Sequence, residues 1–528
     1  MTREASLVLA SSLCVSFSYF KTEECLGFAL FHVILFVTSF IPDFHLLTGL
    51  QSFCFRSSSE PGLELGSVLV PMVLKSMISK ERLGNSSAQS DFKSEITAYL
   101  LSSQVMSMAT VSVLLLLDKS RRIFSWTLLC VLSVAIAITI NQHGDITLPV
   151  VCLLLYLCTL AFMLWIFPKT FTLGEAMIIA QTFVLFSVDS WFTLRGKLHY
   201  IMPSVGYLTS VTRSVFTVWL QILVFGSALT GYFLLPVFYY LTTISDQFEL
   251  WVGVIAFYVV ILLVFMAILL PWSMLMLGGQ NPIGWMMQFV IYSKTRKYLT
   301  LYWLVVVMLS ICVVIWRNSS IDKLQPRTVV RKYFHLLSIA IFLPGVIWEP
   351  SLTHIASGAA FAAFVFLEFV RMARVPPLGD VLHDSLSVFL DEKDAGPVIL
   401  THIYLLVGCS LPLWLCGIPV DSRHRLPVYS GLLSLGVGDT VASVVGKKYG
   451  RHTWPGSEKT MEGTLAGLTA QLLCVLVLCS TGVLTIPLTK WSVVFAGLLV
   501  TSLLEAWTSQ VDNLVLPAFL YSLLSAVW

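Results

Sequence analysis

The stretch Leu250–Gly278 reads LWVGVIAFYVVILLVFMAILLPWSMLMLG and contains no charged side chain. An α-helix needs roughly 20 predominantly apolar residues to cross the hydrocarbon core of a bilayer, so this stretch is long enough to span a membrane. Similar runs recur along the 528-residue chain, which is 57% hydrophobic and only 12% charged. The composition predicts an all-α, polytopic integral membrane protein whose surroundings are the lipid bilayer.

Further apolar segments lie on both sides of this stretch. They predict about 13 to 17 membrane-spanning helices, since some segments are expected to merge, tilt or be re-entrant. The run at 211–243 is long enough for a span plus part of a second. The first segment, at 6–22, lacks a small-residue cleavage motif, so we expect a retained span rather than a signal peptide.

The charge pattern excludes several classes of function. The formal net charge is only +3, and no basic tract with interleaved aromatic residues suggests a nucleic-acid partner. Basic clusters at the ends of apolar segments, such as Arg371–Arg374, are instead typical of cytoplasmic loops. The 11 cysteines form no C-x-x-C pair, which favours free thiols over a disulfide framework or a zinc site.

The two halves of the chain differ in their polar residues. Before about residue 316 the loops are short or chemically bland, whereas after Arg317 they carry paired charges, glycine and proline. We therefore predict an N-terminal multi-span membrane region at 1–316, a linker at 317–330 and a C-terminal catalytic membrane domain at 331–528.

A polar, glycine-rich stretch, called the island below, lies at Leu435–Gly463 and reads LGVGDTVASVVGKKYGRHTWPGSEKTMEG. Glycines let backbone N–H groups approach an anion closely, lysine supplies a compact positive charge, and carboxylates can hold the divalent metal that accompanies nucleotide phosphates. The island does not fit the G-x-x-x-x-G-K-[ST] pattern, so it is not a P-loop. It predicts a glycine-rich loop that binds the phosphates of a nucleotide.

Four other polar clusters lie in the C-terminal half. Each has a non-functional alternative. Single charges at span ends are usually solvated anchors, and single histidines are more often packing residues than ligands or bases. An Arg–Glu pair at helical spacing is often a surface pair that contributes under ~1 kcal/mol to stability. The clusters are Arg331 with His335, Glu368 with Arg371, Asp391–Pro397 followed by His402, and Glu505–Asn513.

Carboxylates are concentrated in the last third of the chain, where ionisable groups beside spans mark functional cavities by default. If the segment around Glu505 and Asp512 is helical, their seven-residue spacing presents both from one face. Together with lysines for phosphate and an apolar surround for a lipid, these carboxylates suit a membrane enzyme that handles a nucleotide. The set is Glu368, Asp391, Asp394, Asp439, Glu462, Glu505 and Asp512.

These clusters resemble the motifs of the dolichol kinase family, across roughly residues 327 to 520. The N-terminal half is similar to that family only in being a series of spans, and the wider relatives are phytol kinase and, more remotely, the phosphatidate cytidylyltransferases. The motifs are R-K-x-x-H (Arg331–His335), F-L-E-x-V-R (Phe366–Arg371), L-D-E-K-D-x-G-P-x-I-L-T-H-I-Y-L-L (Leu390–Leu406), G-V-G-D-T-V-A-S (Gly436–Ser443), W-P-G-x-x-K-T-x-E-G-T (Trp454–Thr464) and L-L-E-A-x-T-x-Q-x-D-N-L (Leu503–Leu514).

The resemblance implies CTP-dependent phosphorylation of dolichol to dolichyl phosphate, the lipid carrier for protein N-glycosylation and related mannosylation and GPI-anchor synthesis. It also implies an endoplasmic reticulum membrane location with the nucleotide bound from the cytosol. The choice of CTP over ATP comes from the resemblance alone. Within the implied CTP-binding loop at 447–462, the predicted contacts are Lys447, Lys448, Gly450, Arg451, Trp454, Pro455, Gly456, Ser457, Glu458, Lys459, Thr460 and Glu462.

Phosphoryl transfer requires chiefly that the protein align a hydroxyl with the terminal phosphate and neutralise charge in the transition state. We expect Lys459 to contact the phosphates and Asp439 to bind Mg²⁺ or to act as base toward the lipid hydroxyl, with Asp394 and Asp512 as second candidates for metal or base. The predicted ligands of Mg²⁺ or another divalent cation are Asp439, Glu505 and Asp512.

Two other functions stay open at this point. A cytidylyltransferase acting on a phospholipid needs the same lipid access and metal–triphosphate site, but it releases pyrophosphate where a kinase releases CDP. A membrane transporter also combines many spans with intramembrane charges, although the sequence shows one bland and one charged half rather than two similar ones. The sequence does not indicate an oligomeric state.

Overall fold

A computed structural model of the chain describes residues 3–17, 55–56, 61–80, 87–117, 147–201, 213–244, 246–319, 327–387, 396–418 and 426–526. Over these ranges the backbone forms helices and connecting loops without a β-strand, and an isolated β-bridge joins Thr453 to Thr460. The prediction of an all-α, polytopic membrane protein is therefore confirmed.

The α-helices are numbered in chain order. The first nine are α1 Arg3–Phe17, α2 Leu63–Lys80, α3 Ser87–Leu117, α4 Thr147–Ile166, α5 Leu173–Ile201, α6 Val215–Thr243, α7 Gln247–Val264, α8 Leu270–Met276 and α9 Pro282–Ile291. The others are α10 Lys294–Ser319, α11 Arg327–Trp348, α12 Pro350–Met372, α13 Gly379–Ser387, α14 Thr401–Cys416, α15 Thr440–Tyr449, α16 Met461–Ser480, α17 Trp491–Trp507 and α18 Asp512–Ser525. π-helical segments lie at Phe265–Leu269 and Leu432–Asp439, and short 3₁₀ turns at Leu426–Tyr429 and Leu488–Lys490.

Nine helical segments of the described residues are long and apolar enough to cross a membrane. All but the last two residues of the opening stretch lie in one of them, which runs Phe248–Met276 through the first π-helical segment. The run at 211–243 was expected to hold a span and part of a second, but it forms the single helix α6. The larger predicted number of spans refers to the whole chain and stays a prediction.

Local sequence sets several helix boundaries. Ser214 accepts a hydrogen bond from the Thr217 N–H at the start of α6. Asn281 accepts from two N–H groups of the first turn of α9, where Pro282 follows at the first helical position. Short polar side chains before a helix satisfy N–H groups that have no partner inside it, and proline is tolerated there because it lacks that N–H.

The chain divides into two compact units. The first comprises Met1–Phe186, Ala395–Pro397 and Arg423–Trp528, and the second comprises Ser187–Asp394 and Val398–Ser422. This division by contacts differs from the predicted sequence domains, because the first unit contains the N-terminal helices together with the island. The boundary predicted at 317–330 falls partly outside the described residues and stays a prediction.

Helices from both ends of the chain pack together within the first unit. Helix α2 packs against α1, α3 and α18, and α15 packs along α16. The π-helical segment Leu432–Asp439 packs against α16, α17 and α18. In the second unit α12 packs against α6 and α14, and a core of buried apolar residues joins α6, α7 and α12.

Candidate active site

The island is helical for much of its length. Leu432–Asp439 is a π-helical segment and Thr440–Tyr449 is α15, so the loop proper is Gly450–Thr460. Lys447 and Lys448 belong to the last turn of α15, and Glu462 to the first turn of α16. The predicted nucleotide-binding residues therefore lie on two helix ends and the loop that joins them.

Several glycines of the island bring α15 and α16 into close contact. A Cβ added at Gly463 would lie 2.6 Å from the Ala442 carbonyl oxygen, and one at Gly446 would lie 2.8 Å from Thr460 Oγ1. Small residues allow membrane helices to approach this closely. In the structure these two glycines therefore serve helix packing, a role that the interpretation of the island as a phosphate cradle did not include.

The loop folds back on itself around Trp454–Lys459. The Trp454 N–H donates to the Lys459 carbonyl at 2.9 Å, and the Ser457 N–H donates to the Trp454 carbonyl at 3.0 Å. Pro455 and Gly456 occupy the middle of this turn, with φ of +79° at Gly456. Proline followed by a glycine of positive φ is the signature of a type II turn, so the W-P-G sequence itself shapes the loop tip.

Side chains anchor the loop to the neighbouring helices. Trp454 Nε1 donates to Thr464 Oγ1 at 3.0 Å, and its ring packs edge-on against Trp507 with centroids 5.2 Å apart. Glu462 accepts from the His452 N–H at 3.2 Å, and its Oε1 lies 2.6 Å from His452 Nδ1. These contacts fix both arms of the turn that carries Lys459.

Lys459 reaches from the loop to the ends of α17 and α18. Its ammonium donates to the Glu505 carbonyl oxygen at 2.6 Å and to Asp512 Oδ2 at 3.2 Å, and it lies 3.9 Å from Glu505 Oε1. The side chain is 36% exposed, so it is paired at the ammonium and still open to solvent along part of its length.

The charges around Lys459 keep it protonated. Burial by itself lowers the pKa of Lys459, but the carboxylates of Asp512, Glu505 and Asp439 raise that pKa by more, and it lies above the ordinary lysine value. The loop, α17, α18 and the π-helical segment thus contribute to one charged centre. It consists of Lys459, Glu505, Asp512 and Asp439 and is called the Lys459 centre below.

Asp439 is the last residue of the π-helical segment. It is buried, and it makes no side-chain hydrogen bond to the first turn of α15 that follows it. π-helical turns inside helices occur frequently at functional sites. The carboxylate is therefore placed by a local change of helix type rather than used as a helix cap.

Glu505 and Asp512 do not share a helix. Helix α17 ends at Trp507 and α18 begins at Asp512, so the expected single helix face is wrong. The two carboxylates meet at Lys459 because the chain turns between the helices. Asp512 lies in the first turn of α18, where the helix dipole favours a negative charge.

The donor chemistry of the Lys459 centre fits a hard divalent cation. Asp512 Oδ1 is buried and has no hydrogen-bond partner among the described residues, and carboxylate oxygens are the ligands that Mg²⁺ takes from proteins. The described part of the chain contains no set of three or more His, Cys, Asp or Glu side chains arranged to hold a metal ion. The roles of Asp439, Glu505 and Asp512 as metal ligands stay a prediction.

The outer surface of the loop is polar and open. Lys447, Lys448 and Arg451 are exposed, as are Pro455 and Glu458. The Lys448 ammonium lies 5.2 Å from the ring of its neighbour Tyr449. The end of α15 and the start of the loop therefore expose positive side chains.

Comparison with known proteins identifies the family. A family model described as dolichol kinase matches residues 3–488. The chain belongs to the dolichol kinase family. Human dolichol kinase is 33% identical to it over 550 residues, which cover 99% of this chain and 96% of the human protein.

More distant members match as well. The dolichol kinase EVAN of Arabidopsis thaliana is 29% identical, covering 94% of each chain. Dolichol kinase of Saccharomyces cerevisiae is 31% identical over 245 residues, which cover 46% of this chain and 44% of that protein. No solved structure matches the chain.

In this family member, the F-L-E-x-V-R motif forms a buried ion pair in the second unit. Arg371 Nη2 donates to Glu368 Oε1 at 2.6 Å and its Nε to Oε2 at 2.8 Å, with side chains 6% and 3% exposed. Glu368 Oε1 also accepts from the Ile399 N–H at 2.7 Å. The alternative of a surface pair is therefore wrong, and Glu368 ties the segment before α14 to α12.

Other predicted residues lie on helices α11 and α14 of the second unit. His335 is buried on α11, and His402 on α14 packs edge-on against Phe364 with ring centroids 5.2 Å apart. Arg331 lies on the same helix as His335. Asp394 lies outside the described residues, so its predicted catalytic role stays a prediction.

Helix α1 contributes contacts to the loop that the sequence did not suggest. Arg3 Nη1 donates to the Pro455 carbonyl at 2.6 Å, and its guanidinium lies 5.8 Å from the Trp507 ring centre. A search for ionisable residues within apolar segments, applied to the N-terminal half as well as the last third, would have directed attention to Glu4 and Glu175, which are both buried.

Proposed function

We propose that this chain transfers the terminal phosphoryl group of CTP to the hydroxyl of dolichol, releasing CDP and dolichyl phosphate. The observation that carries the proposal is the Lys459 centre, in which a lysine from the W-P-G-x-x-K-T loop meets carboxylates from three other elements. Membership of the dolichol kinase family supports the lipid and the reaction type.

The reaction assigns a separate task to each part of the centre. The dolichol oxygen forms a bond to the terminal phosphorus of CTP while the bond from that phosphorus to the bridging oxygen breaks, and the hydroxyl proton passes to a carboxylate. We assign the proton to Asp439, because it ends a buried π-helical segment rich in leucine, and apolar surroundings suit the end of a lipid.

Lys459 supplies positive charge to the phosphates. A mobile ammonium is suited to this role because it acts as a point charge rather than as a fixed fork. Asp512 and Glu505 would hold Mg²⁺, which neutralises phosphate charge when bound. The exposed Lys447, Lys448 and Arg451 attract the nucleotide toward the loop.

The proposed setting follows from the same chemistry. The polyprenyl chain stays among apolar helices in the bilayer, and only its hydroxyl reaches the Lys459 centre. We place the protein in the endoplasmic reticulum membrane with this centre open to the cytosol, where CTP is available. Its product would supply the lipid carrier for protein glycosylation.

The test is an assay of purified protein in detergent with dolichol, Mg²⁺ and CTP labelled on either the terminal or the α phosphate. We expect terminal label in dolichyl phosphate and α label in CDP, in equal amounts. Label in pyrophosphate would identify a cytidylyltransferase instead. Equal turnover with ATP would contradict the proposed choice of nucleotide, and the absence of any lipid product would contradict the kinase.

A further inference from the structure

The connection between α17 and α18 decides where two carboxylates of the Lys459 centre lie. It runs from Thr508 to Val511 and is flanked by Glu505 on one side and Asp512 on the other. Within it, the Gln510 N–H donates to Thr508 Oγ1 at 3.2 Å. Its ends bond to the two helices, since the Thr508 N–H donates to the Leu504 carbonyl and the Val511 carbonyl accepts from the Leu514 N–H.

A buried ion pair from the N-terminal half holds the end of this connection. Glu175 Oε1 accepts from Arg56 Nη2 at 2.6 Å and from the Val511 N–H at 2.9 Å. Its Oε2 accepts from the Thr172 N–H at 3.0 Å. The two charged side chains are 0% and 4% exposed, and the Val511 N–H is the donor directly before Asp512.

Two further N-terminal side chains hold the rest of the connection. The Thr172 hydroxyl hydrogen-bonds to Gln510 Oε1, and the Thr508 hydroxyl donates to Glu4 Oε1 at 3.0 Å. The Gln510 side chain is buried against Gly62, where an added Cβ would lie 2.5 Å from Gln510 Cδ. Thr508, Gln510 and Val511 are thus each bound by a residue that is distant in sequence.

This arrangement is more than a stabilising ion pair. A carboxylate that only neutralised an arginine would direct its hydrogen bonds to that arginine. Buried ion pairs of this kind often stabilise a protein no more than apolar residues in their place would. Glu175 instead directs one of its bonds to the backbone N–H that orients Asp512. The bond links the N-terminal half to the position of a charged group of the Lys459 centre.

We propose that Glu175, together with Arg56 and Thr172, is a positioning residue that sets Glu505 and Asp512 against Lys459. The expected effect on catalysis rests on the proposed function, whereas the positioning of the two carboxylates does not. If Glu175 releases Val511, Asp512 and Glu505 move relative to the Lys459 ammonium. The Lys459 ammonium then loses its hydrogen bonds to the Glu505 carbonyl and to Asp512, and it becomes more accessible to amine reagents.

The experiment measures two quantities on the full-length protein in detergent. One is the rate of reductive methylation of Lys459 at fixed pH without nucleotide, followed by mass spectrometry. The other is kcat and KM for CTP. We expect Glu175→Gln and Thr172→Val each to raise the Lys459 methylation rate severalfold and to lower kcat about tenfold or more, with a smaller change in KM. Methylation needs no substrate, so its result stands even if the proposed reaction is wrong.

Control variants separate positioning from general destabilisation. Asp189→Asn breaks an ion pair with Arg213 in the second unit, and it should leave Lys459 methylation unchanged even if it lowers the melting temperature. The exposed Lys297 serves as an internal reference lysine in every sample. Thr172→Val removes the hydroxyl that contacts Gln510 and the Glu175 N–H but leaves both charged side chains of the ion pair in the chain. It therefore decides the question if Glu175→Gln fails to fold. Lys459 methylation at the unmodified rate in the folded variants would overturn the proposal.

Discussion

At the residue scale, Lys459 is the point on which the candidate site depends. Its ammonium is held by Asp512 and by the Glu505 carbonyl, and it remains partly exposed. A lysine so placed can contact a phosphate without being carried there by a large movement of the backbone. Its loss would leave neighbouring carboxylates without their positive partner.

We predict that Lys459→Ala lowers turnover about 100-fold or more, comparable to the loss of one donor that stabilises a transition state. The measurement is the rate of dolichyl phosphate formation by the purified variant, with CTP affinity determined separately. Lys297→Ala, which removes an exposed lysine from the second unit, should keep the activity of the unmodified protein. Unchanged turnover and affinity in Lys459→Ala would remove this lysine from the mechanism.

The residue types of the site were readable from the sequence, but their geometry was not. Asp439, Glu505 and Asp512 are candidates because charge is costly beside apolar helices. Lys459 is a candidate because a lysine in a glycine-rich loop suits a phosphate. Their convergence depends on a π-helical segment and on the break after Trp507, and hydrophobic periodicity reports neither feature.

At the scale of elements, the α15–α16 pair is the platform beneath the loop. Sequence analysis predicted a polar loop here, because glycine and charge dominate the composition. In the structure, Gly446 and Gly463 allow the two helices to pack closely. Both ends of the loop therefore begin at this pair of packed helices. Glycine is expected both in a loop and at a close contact between helices. Composition therefore does not distinguish the two roles.

We predict that Gly463→Ala destabilises the protein by about 1–3 kcal/mol, as overpacking of a tight contact does. The added Cβ would lie 2.6 Å from the Ala442 carbonyl oxygen, which is backbone and cannot rotate away. The measurement is thermal unfolding in detergent, with kinase activity recorded on the same samples.

The matched control is Gly497→Ala in α17. Its added Cβ would meet only side-chain carbons at 3.5 Å or more, and alanine is a better helix former than glycine by about 1 kcal/mol. This variant should be as stable as the unmodified protein or slightly more so. A higher melting temperature for Gly463→Ala than for Gly497→Ala would contradict the packing role.

At the scale of the whole molecule, both ends of the chain belong to one compact unit. The sequence correctly indicated a helical membrane protein, since apolar runs determine that class directly. It assigned the site to residues 331–528 alone, because no local pattern reveals that Glu175 and Arg56 contact the connection after α17. Contacts between residues so distant in sequence leave no periodic signal.

We predict that the segments 372–396 and 447–460 face the cytosol together, because both are expected to reach one nucleotide. Single cysteines placed in each segment, in a background lacking the native thiols, can be labelled from either side of sealed membrane vesicles. Labelling of both from the cytosolic side is the expected result. Labelling from opposite sides would contradict a single site that uses both segments.

The claim that the Lys459 centre is one catalytic site is tested most directly by double-mutant cycles. They pair Asp439→Asn with Glu505→Gln and with Asp512→Asn. Residues that act on one bound group are strongly non-additive, and we predict coupling energies of about 0.5–3 kcal/mol in turnover, with unchanged expression of each single variant. A weaker dependence on Mg²⁺ is expected from Glu505→Gln and Asp512→Asn, which change the proposed Mg²⁺ ligands, and not from Asp439→Asn, which changes the proposed proton acceptor. Losses that add within ~0.5 kcal/mol would contradict the Lys459 centre as one catalytic site. They would leave Glu505 and Asp512 as structural residues at the ends of their helices.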